Sequence, residues 1–120
     1  MKQDYKNYKT YAVTIEITAG EYAKYNTILI HAPNEEKAWH YACYCESHNP
    51  DRLDWENDRG CAEPDWSFFY HAYSEEEVSA TDITILRKHL SYATFNEKEL
   101  DQSGNYKEQM TKTPQTLQTK

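Results

Sequence analysis

The stretch NEEKAWHYACYCESHN, Asn34 to Asn49, decides the fold, because it reads as one well-marked helix between segments of a different period. Pro33 precedes Asn34, whose side-chain oxygen can accept a free amide of the first turn, and Glu35 and Glu36 place negative charge at the positive end of the helix dipole. Ala38, Tyr41, Ala42 and Cys45 recur at three- and four-residue spacing and define a small apolar face suited to lying close on a sheet. Pro50 cannot continue the helix and biases Asn49 away from helical angles, so the element is expected to end near His48.

The flanking segments alternate with a period of two. Tyr11, Val13, Ile15 and Ile17 point one way and Ala12, Thr14, Glu16 and Thr18 the other, the signature of a half-buried strand. Ala19-Gly20-Glu21 is a turn, and Tyr22 to Ala32 returns as a second strand with Ile28, Ile30 and Ala32 on the core side. Ser67 to Tyr73 forms a strand with aromatic groups on both sides. Phe68, Tyr70 and Ala72 face one way and Phe69, His71 and Tyr73 the other, as in a central strand covered on both faces. Ser74-Glu75-Glu76 is read as a turn. Glu77 to Arg87 is read as a fourth strand because of Val78, Thr81, Ile83, Thr84 and Ile85, although Ile83, Leu86 and Leu90 also fit a helix capped by Thr81 or Asp82.

The expected fold is therefore α+β: a small antiparallel sheet of about four strands, in the order β-β-α-β-β, packed on one main helix. Residues 1-10 are read as a loosely held arm, 11-95 as a single domain, and 96-120 as a mobile polar tail with one short helical turn at Glu97 to Gln102. Pro50 to Trp66 shows no period and reads as a long loop pinned by Trp55 and Trp66.

Composition constrains the core and the partners. Only 17 of the 120 residues are Leu, Ile, Val or Phe, a proportion that by itself points toward disorder, but eleven Tyr and three Trp can supply a thin aromatic core. The net charge of -7 is uneven: residues 35 to 82 hold thirteen carboxylates against Lys37, Arg52 and Arg59, giving -10. Such a middle repels nucleic-acid phosphates and anionic membrane and attracts a basic protein surface or a cation, so direct nucleic-acid binding and membrane association are not expected. No apolar run is long enough to span a bilayer, and three Cys make no disulfide framework, which together favour a cytoplasmic protein.

Four constellations could carry chemistry. His40, Cys43, Cys45, His48 and the more distant Cys61 have the ligand types of a zinc site, yet on a helix His40 and Cys43 face one way and Cys45 and His48 another. Cys43 or Cys45 with His40, His48 or His71 could form a nucleophile pair, but no orienting group or oxyanion hole accompanies them. Asp54, Glu56, Asp58 and Asp65 alternate like calcium ligands, while Arg59 stands where the sharp turn needs Gly and Pro64 adjoins the last ligand. The fourth is a binding surface: Glu46, Asp51, Asp54, Trp55, Glu56, Asp58, Glu63, Asp65, Trp66, Glu75 and Glu76 interleave carboxylates with aromatic anchors of the kind that protein interfaces favour.

The fourth leads: a small acidic protein-binding module, with no cofactor expected and no catalytic signature to mark an enzyme, that docks on the basic surface of another protein. A metal-binding protein or metalloenzyme is the alternative. In composition the chain resembles the short acidic accessory proteins of phages and mobile elements, some of which inhibit restriction or CRISPR enzymes. That resemblance implies a nucleic-acid-handling enzyme as the partner.

Overall fold

The computed structural model describes residues 7–55 and 59–101. Strands β1 (Lys9–Ala19) and β2 (Tyr22–Ala32) form the expected antiparallel hairpin, in register from Lys9 opposite Ala32 to Ala19 opposite Tyr22. Gly20 closes it with a φ of 64°, a conformation a side chain disfavours. Helix α1 (Glu35–Glu46) follows, and the Asn34 side chain accepts from the Lys37 amide at 2.8 Å, as the sequence predicts.

The rest corrects the expected architecture. After a 3-10 turn at Pro50–Arg52, the supposed loop contains two short strands, β3 (Asp54–Trp55) and β4 (Gly60–Ala62). Strand β5 runs from Phe69 to Glu77, straight through the predicted turn at Ser74-Glu75-Glu76. A bulge lets it do so: Ile15 pairs with Ala72 but Thr14 with Ser74, leaving Tyr73 as an extra residue. Residues 80 to 86 are not a strand but helix α2 (Ala80–Leu86), capped by the Ser79 hydroxyl, which accepts from the Asp82 amide at 3.2 Å. Strand β6 (Ser91–Thr94) then pairs parallel to β2, and α3 (Glu97–Asp101) realises the short helical turn.

Among the described residues the sheet therefore has six strands in the order β3-β4-β5-β1-β2-β6, is mixed rather than antiparallel, and curls into a half-barrel accompanied by three helices. Four strands on one helix would leave the flanks of α1 open. In the observed fold the curl closes around it, and Ala38, Trp39, His40, Tyr41, Ala42 and Cys43 are all buried. Cys45, assigned to the apolar face by spacing, is exposed instead, because burial follows the enclosing sheet and not one helical stripe.

One flank of α1 meets Trp55 of β3, whose ring centroid lies 5.9 Å from that of His40. The other meets Phe95, 5.8 Å from Tyr41, and the fully buried Leu100 of α3; the Tyr41 hydroxyl donates to Glu99. Lys9 and Thr10 belong to β1, and Tyr8 packs against the core, so the arm is engaged from residue 8 onward. Residues 102–120, the bulk of the expected tail, lie outside the described residues. Among the described residues, no helix is long and apolar enough to cross a membrane.

Candidate functional site

Alternation gives the sheet two unlike faces. On the inner face, under α1, Val13 and Ile15 of β1 and Ile28 and Ile30 of β2 form the core. On the outer face β1 presents Ala12, Thr14, Glu16 and Thr18, and the register sets beside them Tyr25 and Thr27 of β2 and Phe69, His71, Ser74 and Glu76 of β5. None of these outer-face positions is Lys or Arg.

Large aromatic groups lie open there. Tyr73, pushed out by the bulge, is 61% exposed and meets Tyr25, 53% exposed, edge-on at 5.0 Å between ring centroids. The Tyr25 hydroxyl donates to Glu16 at 3.1 Å, and the same carboxylate lies 3.9 Å from the His71 ring. Trp66, 54% exposed, packs edge-on against Phe69 at 5.6 Å. Its backbone has a φ of 62°, an uncommon conformation for a bulky residue. The turn holds it there: the Trp66 amide donates to the Glu63 carbonyl at 2.8 Å, and Asp65 accepts from the amide and hydroxyl of Ser67 at 3.1 and 2.7 Å. Those two bonds to Ser67 keep the Asp65 carboxyl below its ordinary range.

The opposite end of the outer face is covered. Leu29 is buried there, and Arg87 stacks 4.0 Å over the ring of its cross-strand neighbour Tyr92.

A second feature lies between the C-terminal end of α1 and the turn end of the hairpin. It is a cleft of about 450 Å³ with Ile17, Ala19, Phe68 and Tyr70 on its apolar side. Tyr22, Lys24, Glu46 and His48 line its mouth. Behind Tyr70 sits Glu63, only 2% exposed. Its carboxylate accepts from the Tyr70 hydroxyl and the His48 amide, both at 2.6 Å, and from the Asn49 amide at 3.2 Å. Burial alone would raise the Glu63 carboxyl; these donors outweigh it and hold the group below its usual range. The same contact, with burial, pushes the Tyr70 hydroxyl up. The His48 ring lies edge-on to Phe68 at 5.0 Å, with Nδ1 3.6 Å from Glu63.

The interleaved carboxylates and rings picked from the sequence do not gather into one patch. Trp55 is fully buried and Glu63 nearly so, so neither side chain faces an incoming surface: Trp55 fills the core beside α1, and Glu63 fastens the 48–49 backbone to the sheet. Glu75 points to the inner side, where it pairs with Arg59, which in turn lies 5.4 Å over the Trp39 ring. Glu46 stands at the cleft and accepts from Asn26. Asp51 is exposed on the 3-10 turn and Asp54 half-buried in β3. Asp65, Trp66 and Glu76 are exposed, the first two beside Phe69 and Glu76 at the far end of the outer face. Glu56 and Asp58 lie outside the described residues.

The metal-ligand candidates differ in their surroundings. His40 lies between Trp39 and Trp55, with burial and the nearby Lys37 and Arg59 charges lowering its pKa to about 3. Cys43 and Cys61 are buried, whereas Cys45 and His48 are exposed. Among the described residues no three His, Cys, Asp or Glu side chains are arranged to hold a metal ion.

Tyr25, Phe69 and Glu16 are the surface residues that sequence reasoning passed over. The signal was present in the Phe69, His71, Tyr73 alternation, but aromatic groups on both sides of β5 implied cover on both. No protein-family model matches this chain, and no curated protein or solved structure shows significant similarity to it.

Proposed function

We propose that this chain is a small acidic binding protein that docks the open aromatic face of its sheet on a Lys- and Arg-rich surface of another protein. The observation that carries this reading is the exposed pair of Tyr25 and Tyr73, set beside the Glu16 carboxylate among outer-face positions of β1, β2 and β5 that include no Lys or Arg. Exposed aromatic groups in a polar surround are what interface centres are made of.

The partner class follows from charge. An overall charge of -7 favours a basic surface and speeds encounter with it, and basic surfaces are characteristic of proteins that handle nucleic acid, enzymes among them. A module of this kind would inhibit such an enzyme by covering the surface that holds its phosphates, as anti-restriction and anti-CRISPR proteins of phages and mobile elements do.

Affinity capture with the wild-type chain and the Tyr25→Ser/Tyr73→Ser double variant tests the reading. The expected result is a basic nucleic-acid enzyme retained by the wild type, released by moderate salt and missing from the double variant. Equal capture by both proteins, or capture indifferent to salt, would overturn it.

A further inference from the structure

The two neighbours of β2 cover it unequally. β1 pairs with it along its whole length from Tyr22 to Ala32, whereas β6 pairs only from Ile28 to His31. Among the described residues no strand lies beside residues 22–27 on the side away from β1, and residues 22–26 are all exposed. The His31 carbonyl accepts from the Phe95 amide on the β6 side at 2.8 Å, and the backbone groups along a strand change sides at each residue. By that alternation Tyr25 and Ala23 direct their N–H and C=O groups at the open side, a short edge on which another strand can pair.

The rows of side chains across the sheet define what such a strand would meet. On the inner side Tyr70, Ile17 and Lys24 are successive cross-strand partners, and all three line the cleft at the end of α1. Lys24 and Glu46, one of each sign, stand at the mouth, so the interior formed by Ile17, Ala19, Phe68 and Tyr70 is apolar and without net charge. A residue opposite Lys24 points to this side of the sheet, where an apolar side chain can lie along the aliphatic stem of Lys24 and reach the cleft. On the outer side the row is His71, Glu16 and Tyr25, with no Lys or Arg in it. A residue opposite Tyr25 sets its side chain beside that ring, with the Glu16 carboxylate one strand behind, which suits a cation.

We infer that the open edge of β2 takes up an extended segment of the basic partner as an antiparallel seventh strand, with an apolar side chain opposite Lys24 turned to the cleft and basic side chains opposite Ala23 and Tyr25. The inference rests on the basic-partner reading above. Backbone pairing supplies affinity in this mode and the alternate side chains supply specificity. A second copy of this chain does not fit the slot, because a two-fold pairing centred on Tyr25 would set the copy's Tyr22 opposite Ile28, the position that Ser91 holds. A segment of about five residues with no hairpin attached meets no such obstacle.

The test is an NMR titration of the isotope-labelled full chain with a blocked five-residue peptide that alternates leucine and arginine, leucine at both ends. Two further peptides carry N-methyl groups on the arginines or on the leucines. The unmodified peptide should saturate and slow hydrogen exchange at the Ala23 and Tyr25 amides. Methylation of the arginines removes the donors that face β2 and should weaken binding at least about tenfold, whereas methylation of the leucines, whose amides face away, should leave it nearly unchanged. Serine in place of the central leucine should weaken binding about tenfold. Ala23→Pro removes one edge donor without touching the β1 ladder and should weaken the peptide at an unchanged melting temperature. The methylation series uses the wild-type chain alone, so a misfolded variant cannot imitate its pattern. Equal effects of the two methylations, or no added protection at Ala23 and Tyr25, would overturn the added strand. A basic enzyme still captured by the wild type after such a failure would leave the docking face standing without it. Peptide binding with no basic enzyme captured would uphold the edge and overturn the basic partner as the source of the segment.

Discussion

The Tyr70 hydroxyl donates to the Glu63 carboxylate at 2.6 Å, and this bond ties a buried anion to the middle of the sheet while the same anion collects the backbone amides of His48 and Asn49. One carboxylate thus joins the end of α1 to β5.

Tyr70→Phe removes one donor and leaves the buried charge short of a partner, at a cost of about 1.5–3 kcal/mol in urea unfolding. The acid limb gives the second check. Because the folded carboxyl is held below its ordinary value, its contribution is fully present above the normal Glu range and disappears as pH falls through the depressed value. Glu63→Gln should flatten stability against pH in that region. An unchanged acid slope in the variant would show that Glu63 is not the anion the fold depends on.

His40 acts higher on the pH scale. Its folded pKa is lowered to about 3 by burial and by the Lys37 and Arg59 charges, so the native state keeps it neutral while the unfolded chain takes up a proton below its ordinary value of 6.5. Stability from this group is complete above pH 6.5 and is lost progressively as the pH drops toward 3. Melting scans of the wild type should decline across that interval, and His40→Gln should remove most of the slope. A wild-type profile that stays level down to the carboxylate range contradicts a buried neutral imidazole.

Gly60 is required by space. A Cβ there would stand 2.3 Å from the Tyr70 carbonyl oxygen, a backbone atom that cannot swing away. Gly60→Ala should destabilise by about 1–3 kcal/mol as β4 is forced off β5. Gly20 has positive φ but open surroundings, so Gly20→Ala should cost only about 1 kcal/mol. Guanidinium midpoints measured side by side give the order, and a larger loss at Gly20 would reverse this account.

Leu100 is fully buried although it lies in the polar C-terminal stretch. Leu100→Ala should lower stability by about 2–5 kcal/mol, whereas Ile85→Ala on the exposed side of α2 should stay within about 0.5 kcal/mol. The same denaturation experiment ranks them, and near-equal effects would mean that α3 does not dock on α1.

Elements whose hydrogen bonds are local or close in sequence were legible. The Asn34 cap and the antiparallel β1–β2 hairpin required only short-range chemistry, and both are found. What was not legible depends on partners far along the chain. Ser91–Thr94 has no alternation of its own and becomes a strand because β2 offers it a parallel edge some sixty residues earlier. The Ser74-Glu75-Glu76 segment has turn residues but extends because β1 supplies the ladder and the bulge at Tyr73 absorbs the misfit.

For the site, residue types gave the chemistry but not the grouping. Trp55 and Glu63 look like surface anchors in a polar segment, yet the β3–β4 hairpin folds that segment over α1 and buries them both. Composition and alternation by themselves determined the capped helix α1, the β1–β2 hairpin before it and the concentration of negative charge in the middle of the chain. Only the tertiary structure decided which rings are left in water, because exposure is set by how the sheet curls around α1, and a curl is produced by pairings between distant strands that no local period encodes.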